Sequence, residues 1–189
     1  MKTKNLIAAF CLIGSLAFAQ EKMEEKLPYY EIQDHTIDYN AGSATARMVD
    51  GLGFRYYWAS EGLREEDLAY KPSESGRTSF ETIEHIYGLS KFILGAVKIE
   101  SNKTKEEEAK MTFAEKRKQT LLNIEMTAEL LRKTKDLSQF DNDRFKFWNI
   151  INGPIADAIW HCGQVVLLRR ASGNPFNSKA SVFSGKVRQ

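Results

Sequence analysis

The chain has 189 residues, 42% of them hydrophobic, with 27 basic against 25 acidic side chains. That length suits one domain with a sizeable core. The near balance of charge gives no electrostatic case for nucleic acid or an anionic membrane as partner.

Lys2 and Lys4 open the chain, Leu6 to Leu16 is a short apolar run, and Ala17-Phe18-Ala19 meets the small-x-small cleavage rule. This is the pattern of a signal peptide over residues 1–19, with cleavage after Ala19 and export to a periplasm or beyond. The apolar run is too short for a mature membrane span. Cys11 lies inside it behind the bulky Phe10, which argues against a lipid anchor, so no membrane anchor is expected. Cleavage removes Lys2 and Lys4, which takes the basic count from 27 to 25, equal to the 25 acids. The mature segment, residues 20–189, reads as a single domain without internal repeats. It keeps one cysteine, Cys162, so its fold must hold by its core without an intramolecular disulfide. His35, set among Gln33, Asp34 and Asp38, reads as solvent-exposed.

Four helical segments follow in order. The first runs from about Ser43 to Glu61, with Met48, Leu52, Tyr56 and Ala59 at helical spacing and Gly62 as a stop. Leu63 to Gly76 is a polar connection. Thr78-Ser-Phe-Glu81 is a capping-box pattern, so the second helix starts there and continues through Val97. Glu84, Gly88, Lys91 and Lys98 form its polar strip; His85 lies opposite, in line with Leu89, Phe92 and Ala96, which predicts an interior histidine. Lys103 to Lys110 reads as a solvated connection. Thr112-Phe-Ala-Glu115 repeats the capping box and opens a third helix to about Arg132, with Leu121, Leu122, Met126 and Leu130 inside. The last helix is bracketed by Asn152-Gly-Pro154 and Gly173-Asn-Pro175, with Phe145 to Trp148 as an earlier turn that kinks at Pro154. No segment alternates with period two over a useful length, so a sheet is not expected. The expected fold is all-α, an antiparallel four-helix bundle, whose core can host a metal site on facing helices.

The chemistry-bearing residues concentrate on two of these helices. Asp157 and His161 are four apart and share one face. With His85 from the second helix they make a three-residue set for a divalent metal, with a further position open for water or substrate. The alternative is that Asp157 only hydrogen-bonds His161. Gln164 shares the stripe and suits either a hydrogen bond to a ligand group or a contact with a neighbouring helix. Cys162 points away from His161 and reads as a buried, inert thiol. Tyr56, Tyr57 and Trp58 suit core or pocket lining, and Trp148 and Trp160 suit core or a homodimer face.

Thr82-Ile-Glu-His85-Ile, together with Asp157-Ala-Ile-Trp-His161-Cys-Gly-Gln164 and the following Arg169-Arg170-Ala-Ser-Gly173-Asn-Pro175, resembles the DinB/YfiT-like metalloenzyme family. The likeness runs from the first helix to the Gly-Asn-Pro. It implies a four-helix bundle with a divalent metal held by three histidines, one on the second helix and two spaced four apart on the last. His85 and His161 match the first and third; Asp157 stands where the second would be. A carboxylate can replace imidazole on zinc, nickel, iron or manganese. The resemblance implies a metal-dependent hydrolase or thiol-transferase-like enzyme acting on a small molecule. Export disfavours the thiol-transfer activity, whose usual cosubstrates are cytoplasmic. The alternative is a bundle of the same type that has lost its metal and serves as a binding or stress-response protein.

Overall fold

A computed structural model describes residues 26–34, 38–99 and 103–189. Residues 1–19, read above as a signal peptide, and His35 lie outside them. Helices dominate: α1 (Ala41–Ser60), α2 (Glu65–Ala69), α3 (Ser79–Ala96), α4 (Lys105–Ala109), α5 (Phe113–Arg132), α6 (Phe147–Ile150) and α7 (Ala156–Ala171). Among the described residues the only strands are β1 (Ala180–Ser181) and β2 (Lys186–Val187), an antiparallel pair near the C-terminus. No helix there is long and apolar enough to cross a membrane.

Both capping boxes form. Thr78 accepts from the Glu81 amide while Glu81 accepts from the Thr78 amide at 2.7 Å. Thr112 and Glu115 repeat the exchange at the start of α5. Each satisfies two of the backbone donors a helix start leaves unpaired. At the other ends, Gly62 (φ 66°) and Gly173 (φ 84°) turn the chain out of α1 and α7 in the left-handed region that glycine enters without steric cost.

Helix α1 packs on α5 and α7, and α3 packs on the same two. Between them lies one apolar core, built from Val49, Leu52 and Tyr56 of α1, Ile83, Ile86 and Ile93 of α3, Leu121, Ile124 and Leu131 of α5, and Ala158, Cys162 and Val165 of α7.

Two faces differ from the expected ones. On α3, Phe92 is 52% exposed, so the His85–Leu89–Phe92 line runs along the rim of the molecule rather than its interior. On α5 the buried line is Leu121, Ile124, Ala128 and Leu131, and Met126 is exposed. The wide contact of α5 with both α1 and α3 also buries Thr120, Asn123 and Thr127. The two threonines bond back to their own helix, and Asn123 donates to Ser90 on α3. Once internally bonded, such polar groups can sit inside at little cost, and the buried face need not follow the largest apolar side chains.

The expected break at Pro154 takes a specific form. A π-helical turn over Ile151–Ile155 joins α6 to α7, with Pro154 inside it. Proline has no N–H to give to the ladder, and the wider turn accommodates that loss. Asp157 follows two residues later.

Candidate metal centre

Helices α3 and α7 bring His85, Asp157 and His161 together. The Asp157 carboxylate lies between the two rings: Oδ2 is 3.2 Å from His85 Nε2 and Oδ1 is 3.3 Å from His161 Nε2. The rings stand nearly perpendicular, 4.6 Å between centroids. One ligand atom from each residue can be chosen so that all lie within 4.8 Å of one another. Two ligands bonded to one zinc-like ion at about 2.1 Å, at a tetrahedral angle, are about 3.4 Å apart. The two carboxylate–imidazole separations match that spacing, so this group could hold a metal ion.

The site is neither buried nor fully solvated. The His161 side chain is 11% exposed, against 34% for Asp157 and 37% for His85. His161 therefore anchors the site against the core, while Asp157 and His85 face the open side.

Gln164, one turn along α7, accepts from Nδ1–H of His161 at 2.8 Å. This is a contact within α7, not a tie to a neighbouring helix. It spends the one proton of a neutral imidazole on Gln164 and turns the Nε2 lone pair towards Asp157 Oδ1. Two acceptor atoms at 3.3 Å repel unless a cation, whether metal ion or second ring proton, lies between them. Orienting a ligating imidazole through its other nitrogen is the usual task of an outer partner in metal sites.

Trp160, which is 71% exposed, lies near-parallel to the His161 ring at 6.3 Å and an interplanar angle of 19°. It forms part of the rim. Sequence reasoning left Trp160 open between core and interface; its place beside His161 follows from their adjacency once the ring turns outward. Trp148 is likewise exposed, at 75%, so neither tryptophan is core.

The other candidates fall outside the site. Cys162 points into the core, and burial pushes its thiol up to about 12, which leaves it inert. Tyr56 is core, Trp58 sits in a second apolar cluster with Phe54 and Ile32, and Tyr57 lies under the Arg117 guanidinium.

The Arg169 to Pro175 stretch has a structural role that the sequence did not reveal. Arg169, 4% exposed, donates to the Trp58 and Ala59 carbonyls at 3.0 and 3.1 Å and to the Asn174 carbonyl and side chain. It thus caps the C-terminal carbonyls of α1 rather than those of its own helix. Asn174 and Ser172 donate to Asp67 of α2, which also accepts from Arg64. The hydrogen bonds from Arg64, aided by those from Ser172 and Asn174, hold the Asp67 carboxyl well below the usual carboxylate range.

No family model, curated protein or solved structure matches the chain.

Proposed function

We propose that this chain is an exported, divalent-metal-dependent enzyme of the DinB/YfiT-like type, acting on a small molecule as a hydrolase or a thiol-transferase-like enzyme. The observation that carries the reading is the convergence of His85, Asp157 and His161 from two helices at ion-ligand spacing, on a side open to solvent. The pairing of α1 with α5 and α7, and of α3 with the same two, supports an antiparallel four-helix bundle as the finer description of the fold.

A divalent ion held there supplies Lewis acidity to a water or thiol on the open side. The residues do the rest. His161 provides a fixed lone pair, because Gln164 holds its other nitrogen. Asp157 contributes negative charge that attracts a dication. His85 closes the set from the facing helix. Trp160 lies beside the His161 ring.

The experiment is metal analysis of the mature protein after growth with zinc, nickel, iron and manganese supplied. The expected result is one ion per chain, lost in His161→Ala. A wild-type chain free of any ion after such growth would overturn the reading. It would favour a second one, in which the same 3.2 and 3.3 Å contacts are a hydrogen-bond network in a binding protein. Asp157→His, which restores three histidines, separates the two: tighter ion binding places residue 157 among the ligands.

A further inference from the structure

Helix α3 carries two glycines in its interior, Gly88 and Gly95, that no packing contact requires. A Cβ added at either meets nothing within 4 Å. Glycine in a helix interior is destabilising relative to alanine, and no neighbour approaches closely enough to demand it. What the missing side chains leave is space. A groove of ≈ 440 Å³ runs there, lined by Gly88, Gly95, Ala96, Phe92, Phe145 and Lys91. Phe92 and Phe145 stand against each other with ring centroids 5.9 Å apart. The Lys91 ammonium is paired with Glu108, so its stem faces the groove and its charge is neutralised. The lining is apolar, and the groove is open to solvent along its length.

The groove begins beside the candidate metal centre. Around the helix axis Gly88 lies within about 60° of His85 and Phe92 within about 20°, and the run from His85 to Gly95 covers about 15 Å. Phe145 supplies the far wall just ahead of α6, which leads through the π turn to Asp157. Head site and groove therefore share α3.

We propose that the groove is a tail site, and that the chain acts on an amphiphile. An ion-binding polar head sits at His85, Asp157 and His161, and an apolar chain or ring system lies along α3 towards Gly95. This rests on the metal reading above.

The test uses the full mature chain loaded with zinc and two probes with one head, acetohydroxamate and octanohydroxamate, measured by calorimetry. The octanoyl probe is expected to bind at least tenfold tighter. Gly88→Leu should remove that advantage while acetohydroxamate affinity stays within threefold. Leucine favours helix more than glycine does, so the fold should survive; if it does not, Phe92→Ser is the second variant and should cut the advantage at least threefold. Equal affinity for the two probes overturns the tail site and leaves the metal reading standing. An advantage that persists in the variant also overturns it. Absence of both ion and acetohydroxamate binding overturns the metal reading and the tail site together. If Gly88→Leu instead turns a dimer into a monomer in sedimentation, with probe affinities unchanged, a second copy covers the groove and the proposal fails.

Discussion

Helix α7 carries a polar cluster at each end, and the two are built on opposite terms. Near its start, Asp157 and His161 meet His85 on a half-open side, with His161 Nε2 3.3 Å from a carboxylate oxygen. Near its end, Arg169 is buried and bonded through Nε and both terminal nitrogens, and Asp67 beside it is sealed by Arg64, Ser172 and Asn174. A cluster whose donors and acceptors all find each other contributes stability and has nothing left to offer a ligand. A cluster of ring nitrogens and carboxylate oxygens gathered on an open side offers coordination. Motif strength in the sequence does not distinguish the two kinds, whereas the hydrogen-bond inventory does.

The strongest way to break this contrast is at the sealed end. Arg169→Leu strands the Trp58 and Ala59 carbonyls and the Asn174 side chain. It should cost about 3 kcal/mol in urea unfolding, while ion content in the folded fraction stays at wild-type level. A loss under about 1 kcal/mol would mean that water replaces the guanidinium and the cluster is not a structural tie.

The next effect belongs to the open end. Gln164→Leu removes the partner that fixes the His161 ring, and ion affinity should fall about 10- to 100-fold with the melting temperature of the ion-free protein unchanged. Unaltered affinity in a competition assay would exclude an orienting role.

Acid tests the sealed end again, with a smaller signal. Asp67 has a lowered pKa in the folded chain, so the unfolded chain binds more protons as pH falls. Its contribution is complete well above the unfolded carboxyl value of about 4 and is lost progressively on further acidification. Asp67→Asn should therefore flatten the stability–pH curve below about pH 5. A variant whose acid slope equals that of wild type would assign the acid sensitivity to other groups.

The smallest effect sharpens the contrast from the other side. His161→Ala, measured without metal, should change stability by about 1 kcal/mol. A much larger loss would show that the open site is also a fastening.

Local signals in the sequence carried over well, and long-range ones did not. The Thr78–Glu81 and Thr112–Glu115 boxes mark true helix starts because both partners sit within one turn. The same pattern at Thr104-Lys-Glu-Glu107 caps the short α4, yet it was hidden inside a charged run that read as connection. The Asp157/His161 pairing was legible from helical spacing. The third member, His85, was joined to them as a ligand type on a second helix, although no local rule says which face of α3 meets α7. Arg169 gives no local sign of its role, because the Trp58 and Ala59 carbonyls it caps are more than a hundred residues away. Asp67, inside Glu-Glu-Asp of a polar connection, carries no sign of burial at all. Met126 was taken as core because size and apolarity suggested it, whereas the wide face of α5 was settled by which polar groups could bond internally.

The π turn ahead of Asp157 has a consequence for how the site could be altered. Such a turn holds one residue more than the α-helical ladder requires, and each residue counts about 100° around the axis. The Ile151–Ile155 segment thus works as a phase setting between α6, whose Phe147 and Ile150 are fixed in the core, and the ligand stripe of α7. Deleting Gly153 would remove the extra residue, with Pro154 still withholding one hydrogen bond, and swing Asp157 and His161 out of line with His85. Helix content in circular dichroism should hardly change while the ion is lost. The aim of the centre is therefore adjustable by chain length alone, without exchanging any of the side chains that form it.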